Sequence, residues 1–177
     1  MIRNLLMAAT VSLTAAGSVR AAEAPPASPA PPAEVKQLLA QMAGTWTAKE
    51  VTATVDGKTM KMASKVTCDK SAAGYALTCR VHADMGAMKF EEIAIIGWDA
   101  KTNAIHLFSV NNDGNAHDHK GTFANNVFAL EYGATTDGKP FHEALSFTFK
   151  GPKELVWKDV YKLAGQEVFS GEGTYKK

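Results

Sequence analysis

Arginine is nearly missing from this chain: the only guanidinium groups are those of Arg3, Arg20 and Arg80. There is no Gly-rich phosphate loop, no run of lysines, and no apolar stretch long enough to span a bilayer comfortably. Without a basic stripe the chain has no electrostatic footprint for nucleic acid, and without a polybasic cluster none for anionic lipid. Cysteine is also sparse. Cys68 and Cys79 are the only two, so a metal site built mainly from thiolates lacks its ligands. Proline is confined as well: five of the seven fall between Ala24 and Ala33.

The chain starts with Met1-Ile2-Arg3-Asn4, followed by an apolar run from Leu5 to Ala16 and small residues at Val19-Arg20-Ala21-Ala22. A basic head, a short apolar middle and a small-residue exit form the pattern of a secretory signal peptide, here residues 1–22 with cleavage after Ala21 or Ala22. Losing Arg3 and Arg20 takes the formal net charge from +1 to −1. The expected location is periplasmic or secreted, with no membrane span in the mature chain. In an oxidising compartment an even cysteine pair forms a disulfide. Residues 23–33 read as a Pro/Ala-rich linker, extended because proline removes backbone donors.

The domain then runs over 34–177. Val35, Leu38, Leu39 and Met42 recur at i, i+3, i+4 and i+7, one face of a short helix. Gly44 stands where such a helix stops. From Thr45 onward the pattern becomes runs of roughly 6–10 residues divided by turn signals such as Asp56-Gly57, Asp113-Gly114 and Asp137-Gly138. About ten strands with short links predict an all-β fold: an antiparallel up-and-down β-barrel with a short N-terminal helix. A barrel of that size leaves room for a ligand cavity.

Turn positions also predict registers. A turn at Ala73-Gly74 pairs Cys68 with Cys79 and puts both sulfurs on one face, where a cross-strand disulfide can form. Glu91-Glu92 interrupts the alternation of the fourth strand and predicts a bulge. A turn at Asp113-Gly114 pairs Phe108 with His119 and Val110 with His117, and places His106 diagonally on the same face. Imidazoles so placed could ligate a metal. A solvated strand rim near a polar turn is the favoured reading, because the ligand count is incomplete, and no metal or other cofactor is assigned. A turn at Gly151 to Lys153 pairs Phe147 with Trp157, Leu145 with Asp159 and Glu143 with Tyr161. Glu143 and Asp159 then face inward among aromatic side chains.

The opening Leu39-Ala40-Gln41-Met42-Ala43-Gly44-Thr45-Trp46 resembles that of the lipocalin-like (calycin) barrels. It is most similar to a bacterial lipocalin-like family with a Leu-x-x-Leu-x-Gly-Thr-Trp opening and no assigned function. Ile96-Gly97-Trp98-Asp99, Lys120-Gly121-Thr122-Phe123 and Gly173-Thr174-Tyr175 are further family-like features. The resemblance implies that Trp46 packs across the closed end of the barrel. The arginine that stacks on this tryptophan in true lipocalins has no counterpart near the last strand.

Three functions follow as expectations. The first is a barrel binding a small apolar or amphipathic molecule. Phe147, Trp157, Met60 and Met62, with Met85 and Met88, would line its pocket, and Glu143, Asp159 and Tyr161 would orient the ligand. The second is an enzyme using the inward carboxylates as acid and base. No nucleophile or metal set names a reaction, and no catalytic residue is assigned. The third is a structural or interaction module without a ligand. Arg80 is either a carboxylate partner or a surface residue.

Overall fold

The computed structural model describes residues 29–86 and 88–177, without the side chains of Met85 and Met88. The expected signal peptide and most of the linker lie outside the described residues. Helix α1 spans Ala33–Met42 and buries Val35, Leu38, Leu39 and Met42, the face anticipated from the spacing. Each such side chain contributes roughly 1.5–3 kcal/mol when removed from water. Gly44, at φ 108°, turns the chain out of the helix into the first strand.

Ten strands follow: β1 (Gly44–Val55), β2 (Lys58–Ser71), β3 (Ala76–Met85), β4 (Met88–Asp99), β5 (Ala104–Asn111), β6 (Ala116–Ala124), β7 (Val127–Thr136), β8 (Lys139–Gly151), β9 (Glu154–Leu163) and β10 (Gln166–Lys176). Each pairs antiparallel with its neighbours in sequence, and β1 pairs with β10 to close the barrel. The fold is the up-and-down barrel that the turn spacing predicts, and it is lipocalin-like as the resemblance implies. Among the described residues no helix is long and apolar enough to cross a membrane.

Helix α1 covers the end at which β1 begins. There the Trp46 indole N–H donates to the Met42 carbonyl at 2.8 Å, and its ring meets Phe149 edge-on at 6.1 Å. Lys177 Nζ lies 4.4 Å from the indole ring centre and donates to the Gln41 carbonyl. A lysine thus supplies the cation over the tryptophan where an arginine is missing. The opposite end is the mouth, formed by hairpins that include Asp56-Gly57, Asn112–Asn115, Asp137-Gly138 and Ala164-Gly165.

Cys68 and Cys79 pair directly across β2 and β3 and are bonded, both on the buried inner face. The loop closed is short, so this link contributes about 2–3 kcal/mol. The expected bulge at Glu91-Glu92 is not present. β4 runs in unbroken register against both neighbours, from Met85↔Met88 to Ala76↔Gly97 on one side and from Glu92↔Asn111 to Asp99↔Ala104 on the other. The alternation breaks because β4 puts Glu92 on the inner face and Ile93 and Ile95 on the outer. Register shifts occur instead between Ala48 and Val51, Glu167 and Phe169, and Phe149 and Gly151.

β6 and β7 come closest at Gly121, which pairs with Leu130. A Cβ there would penetrate the Ala129 carbonyl oxygen, whereas one at Gly133 would meet the Phe141 carbonyl oxygen only at 3.9 Å. Gly121→Ala should therefore destabilise the barrel by roughly 3 kcal/mol, and Gly133→Ala should be neutral or slightly stabilising. Urea unfolding of both variants tests this; equal effects would contradict the close approach.

Candidate functional site

The barrel encloses a cavity of about 500 Å³, in the range that holds a small organic molecule. Met60, Met62, Phe147 and Trp157 are among its apolar lining. Its polar lining includes Glu92, Ser109, His117, His119, Glu143, Asp159 and Tyr161, the last three on the same β8–β9 pair as Phe147 and Trp157. A more open depression of similar volume, with Lys49, Lys65 and Lys89 among its lining, gathers no buried carboxylate–imidazole cluster among the described residues.

Register brings these residues together. β8 and β9 pair Glu143 with Tyr161, Leu145 with Asp159 and Phe147 with Trp157, as the Gly151 to Lys153 turn predicts. Glu143 and Asp159 are 2% and 5% exposed. β5 and β6 pair one residue away from expectation: Leu107 with His119 and Ser109 with His117. The connection is the four-residue Asn112–Asn115, with the Asn111 side-chain oxygen accepting the N–H groups of Asp113 and Asn115. A one-residue slip reverses every facing relation. His106 consequently leaves the group; its Nδ1 is 2.9 Å from Asp118 on the outer face. His117 and His119 are not a solvated rim, since both rings project into the cavity, and His119 is 1% exposed.

Glu143 joins the two imidazoles. One carboxylate oxygen, Oε2, lies 2.6 Å from His117 Nδ1, and the other, Oε1, lies 2.8 Å from His119 Nε2. His119 Nδ1 is 3.2 Å from the Leu107 carbonyl. A carbonyl only accepts, so Nδ1 carries the hydrogen and Nε2 is left facing a carboxylate. That second contact is close but off the line of a hydrogen bond, and Nε2 has no well-directed partner. Burial lowers the His119 pKa, but Glu143 and the Leu107 carbonyl outweigh it and raise the net value. The His117 ring stacks on Tyr132, with centres 4.3 Å apart. Phe141, Tyr161 and Phe169 continue a chain of aromatic contacts beside it.

Around this triad the acids repel one another. Burial, then the charges of Glu143 and Glu92, push Asp159 well above the usual carboxylate range against the Tyr161 hydroxyl, and its Oδ1 has no partner among the described residues. Burial and the same acids push the Tyr161 phenol up, which keeps it a hydrogen-bond donor. Glu92 was anticipated only as part of a bulge; its signal was the inward phase of Ala94 and Ile96, two and four residues on. Arg80 lies outside, exposed and 3.6 Å from Asp69.

The chain belongs to a family described as "Protein of unknown function (DUF1579)", matched over residues 31–172. No curated protein matches it. Among solved structures it is similar to the S-type phycobiliprotein lyase CPES from Guillardia theta, at 11% identity and a TM-score of 0.52. The match covers 81% of this chain and 92% of that one, and it is a likeness of fold.

Burial pushes the Glu92 carboxyl up to about 7, with the Ser109 hydroxyl opposing, Glu143 adding and His119 opposing. The folded protein thus keeps a proton that the unfolded chain gives up near the ordinary value of 4.5. Stability contributed by this group is complete below about pH 4.5 and is lost as pH rises to about 7, by at most about 3 kcal/mol. In chelator-treated protein, Glu92→Gln should gain on the wild type by that amount between pH 4 and pH 8, measured by urea unfolding. A gap that does not change with pH would contradict the assignment.

Proposed function

We propose that this protein is an exported barrel that binds one small amphipathic molecule inside its wall. The observation that carries the reading is the cavity of about 500 Å³ whose lining combines apolar side chains with a buried polar cluster. The apolar body of the ligand lies along Met60, Met62, Phe147 and Trp157. Its polar end meets Tyr161 and the protonated form of Asp159, which donate, and Glu143, which accepts. Unpaired buried polar atoms such as Asp159 Oδ1 are costly until a partner arrives. The likeness to the phycobiliprotein lyase supports the barrel shape on which this reading depends. Export rests on the leader over residues 1–22, and the Cys68–Cys79 disulfide supports an oxidising compartment.

Native mass spectrometry of the processed protein should show a small-molecule adduct, and an amphipathic fluorophore should quench tryptophan emission through Trp157. Ala94 lines the cavity. Ala94→Phe fills it and should weaken fluorophore uptake at least tenfold, at about 1–3 kcal/mol in stability. Unchanged uptake would place the ligand outside the barrel and overturn the reading.

A further inference from the structure

His117 and His119 alternate on β6 with both rings in the cavity, and Glu143 reaches them from β8, past β7. Their donor atoms lie within 4.8 Å of one another. We propose that His117, His119 and Glu143 bind a first-row transition dication, with zinc the best fit, and leave an open coordination position toward the cavity. Two imidazole nitrogens and one carboxylate oxygen suit zinc and its neighbours rather than magnesium or calcium, which prefer all-oxygen shells.

Three observations support this independently of the binding reading. First, His119 has the outer contact of a metal ligand: its Nδ1 hydrogen is engaged by the Leu107 carbonyl, which aims the Nε2 lone pair at the triad. Second, that Nε2, on a residue 1% exposed, has no well-directed hydrogen-bond partner although a carboxylate oxygen stands 2.8 Å away. In the neutral tautomer two acceptors face each other there, and a metal cation between them resolves the conflict as a proton would. Third, Glu92 and Asp159 line the same cavity as the triad, so further carboxyl groups stand close to where a dication would sit.

The fit is nearly in place. Nitrogen and oxygen donors about 2.0–2.2 Å from zinc stand about 3.4 Å apart in a tetrahedral site. The present separations of 2.6 and 2.8 Å therefore open by about 0.6–0.8 Å as the metal enters. The wall allows such movement. The β6–β7 ladder runs from Ala124↔Val127 to Lys120↔Glu131, whereas both strands extend further toward the mouth. His117 and His119 sit in this span of β6, so the metal would tie β6 to β8 where the β6–β7 ladder has ended.

The test is titration of the processed, chelator-treated full chain with ZnCl2 and CoCl2, followed by desalting and metal analysis, with MgCl2 as control. One zinc per chain should be retained, the unfolding midpoint should rise with zinc, and cobalt should give the visible absorption of a four- or five-coordinate site. Glu143→Gln and His119→Gln should each lose at least tenfold in affinity. His117→Gln, at a half-buried residue, should lose affinity with the far-ultraviolet circular dichroism unchanged. His82→Gln and His142→Gln, in exposed pairs with Glu91 and Glu131, should change nothing. Zinc lost on desalting, or retained equally by the three triad variants, would overturn the proposal. So would a wild-type cobalt spectrum of hexa-aquo type. Metal retention without fluorophore uptake would uphold this site and reject the amphipathic ligand; the reverse would do the opposite.

Discussion

The hydrogen-bond ladder between β1 and β10 is the constraint on which the rest depends. It converts a ten-stranded meander into a wall with an inside. An open sheet of this length would have two unsatisfied edges and one face that water could reach. Closure removes both edges, and every strand must then assign alternate residues to a space of limited volume. The seam is accommodated by irregular steps on β1 and β10 and a further one on β8. α1 and Trp46 seal the end where β1 begins, so that end is packed and the cavity opens at the other.

Given closure, most inward positions are filled as hydrophobic packing requires. Leu77, Ile96, Leu107, Phe128 and Leu130 are all buried at the level of a protein core. The polar lining departs from that rule. Three acids and two imidazoles share a region where a charge is poorly solvated, and burial, with the neighbouring acids adding, drives Glu92 and Asp159 toward protonation. Replacing them with apolar residues of similar size would cost nothing in packing and would remove a desolvation penalty. Local violation of an otherwise consistent core is the physical mark of a site used for something other than stability.

The fold was legible in the sequence because its signals are redundant: a helical face, then repeated runs with Asp-Gly or Asn-rich turns. Where a turn allows one register, the inner residues were legible as well. Gly151-Pro152-Lys153 pairs Glu143 with Tyr161, and Cys68 meets Cys79 because the apolar sets of β2 and β3 match only in that alignment. The histidines were less legible. Asn112-Asp113-Gly114-Asn115 permits a two-residue turn or the longer loop that forms, and the difference of one residue moves His106 outside. The link from β6 to β8 was not readable at all, since it is made across a strand and depends on barrel curvature. Glu92 was hidden by a neighbour: two adjacent acids suggest a bulge, although one simply faces each way.

The β4–β5 wall shows how strongly that arrangement is held. Ile93 and Ile95 lie outward beside Val110 and Phe108, all of them at least 43% exposed, while Glu92 faces the interior. Sliding β4 by one residue would bring the two isoleucines in and Glu92 out, which taken alone is the more favourable distribution of polarity. It does not occur because Ala94 and Ile96 would leave the core with it. The neighbouring strand is bound in the same way, since moving β5 would separate the Leu107 carbonyl from His119. An exposed apolar outer face and a buried acid are thus two consequences of one register. Each is unfavourable by itself, and the barrel tolerates both because the alternative dismantles its core and the histidine–glutamate cluster together.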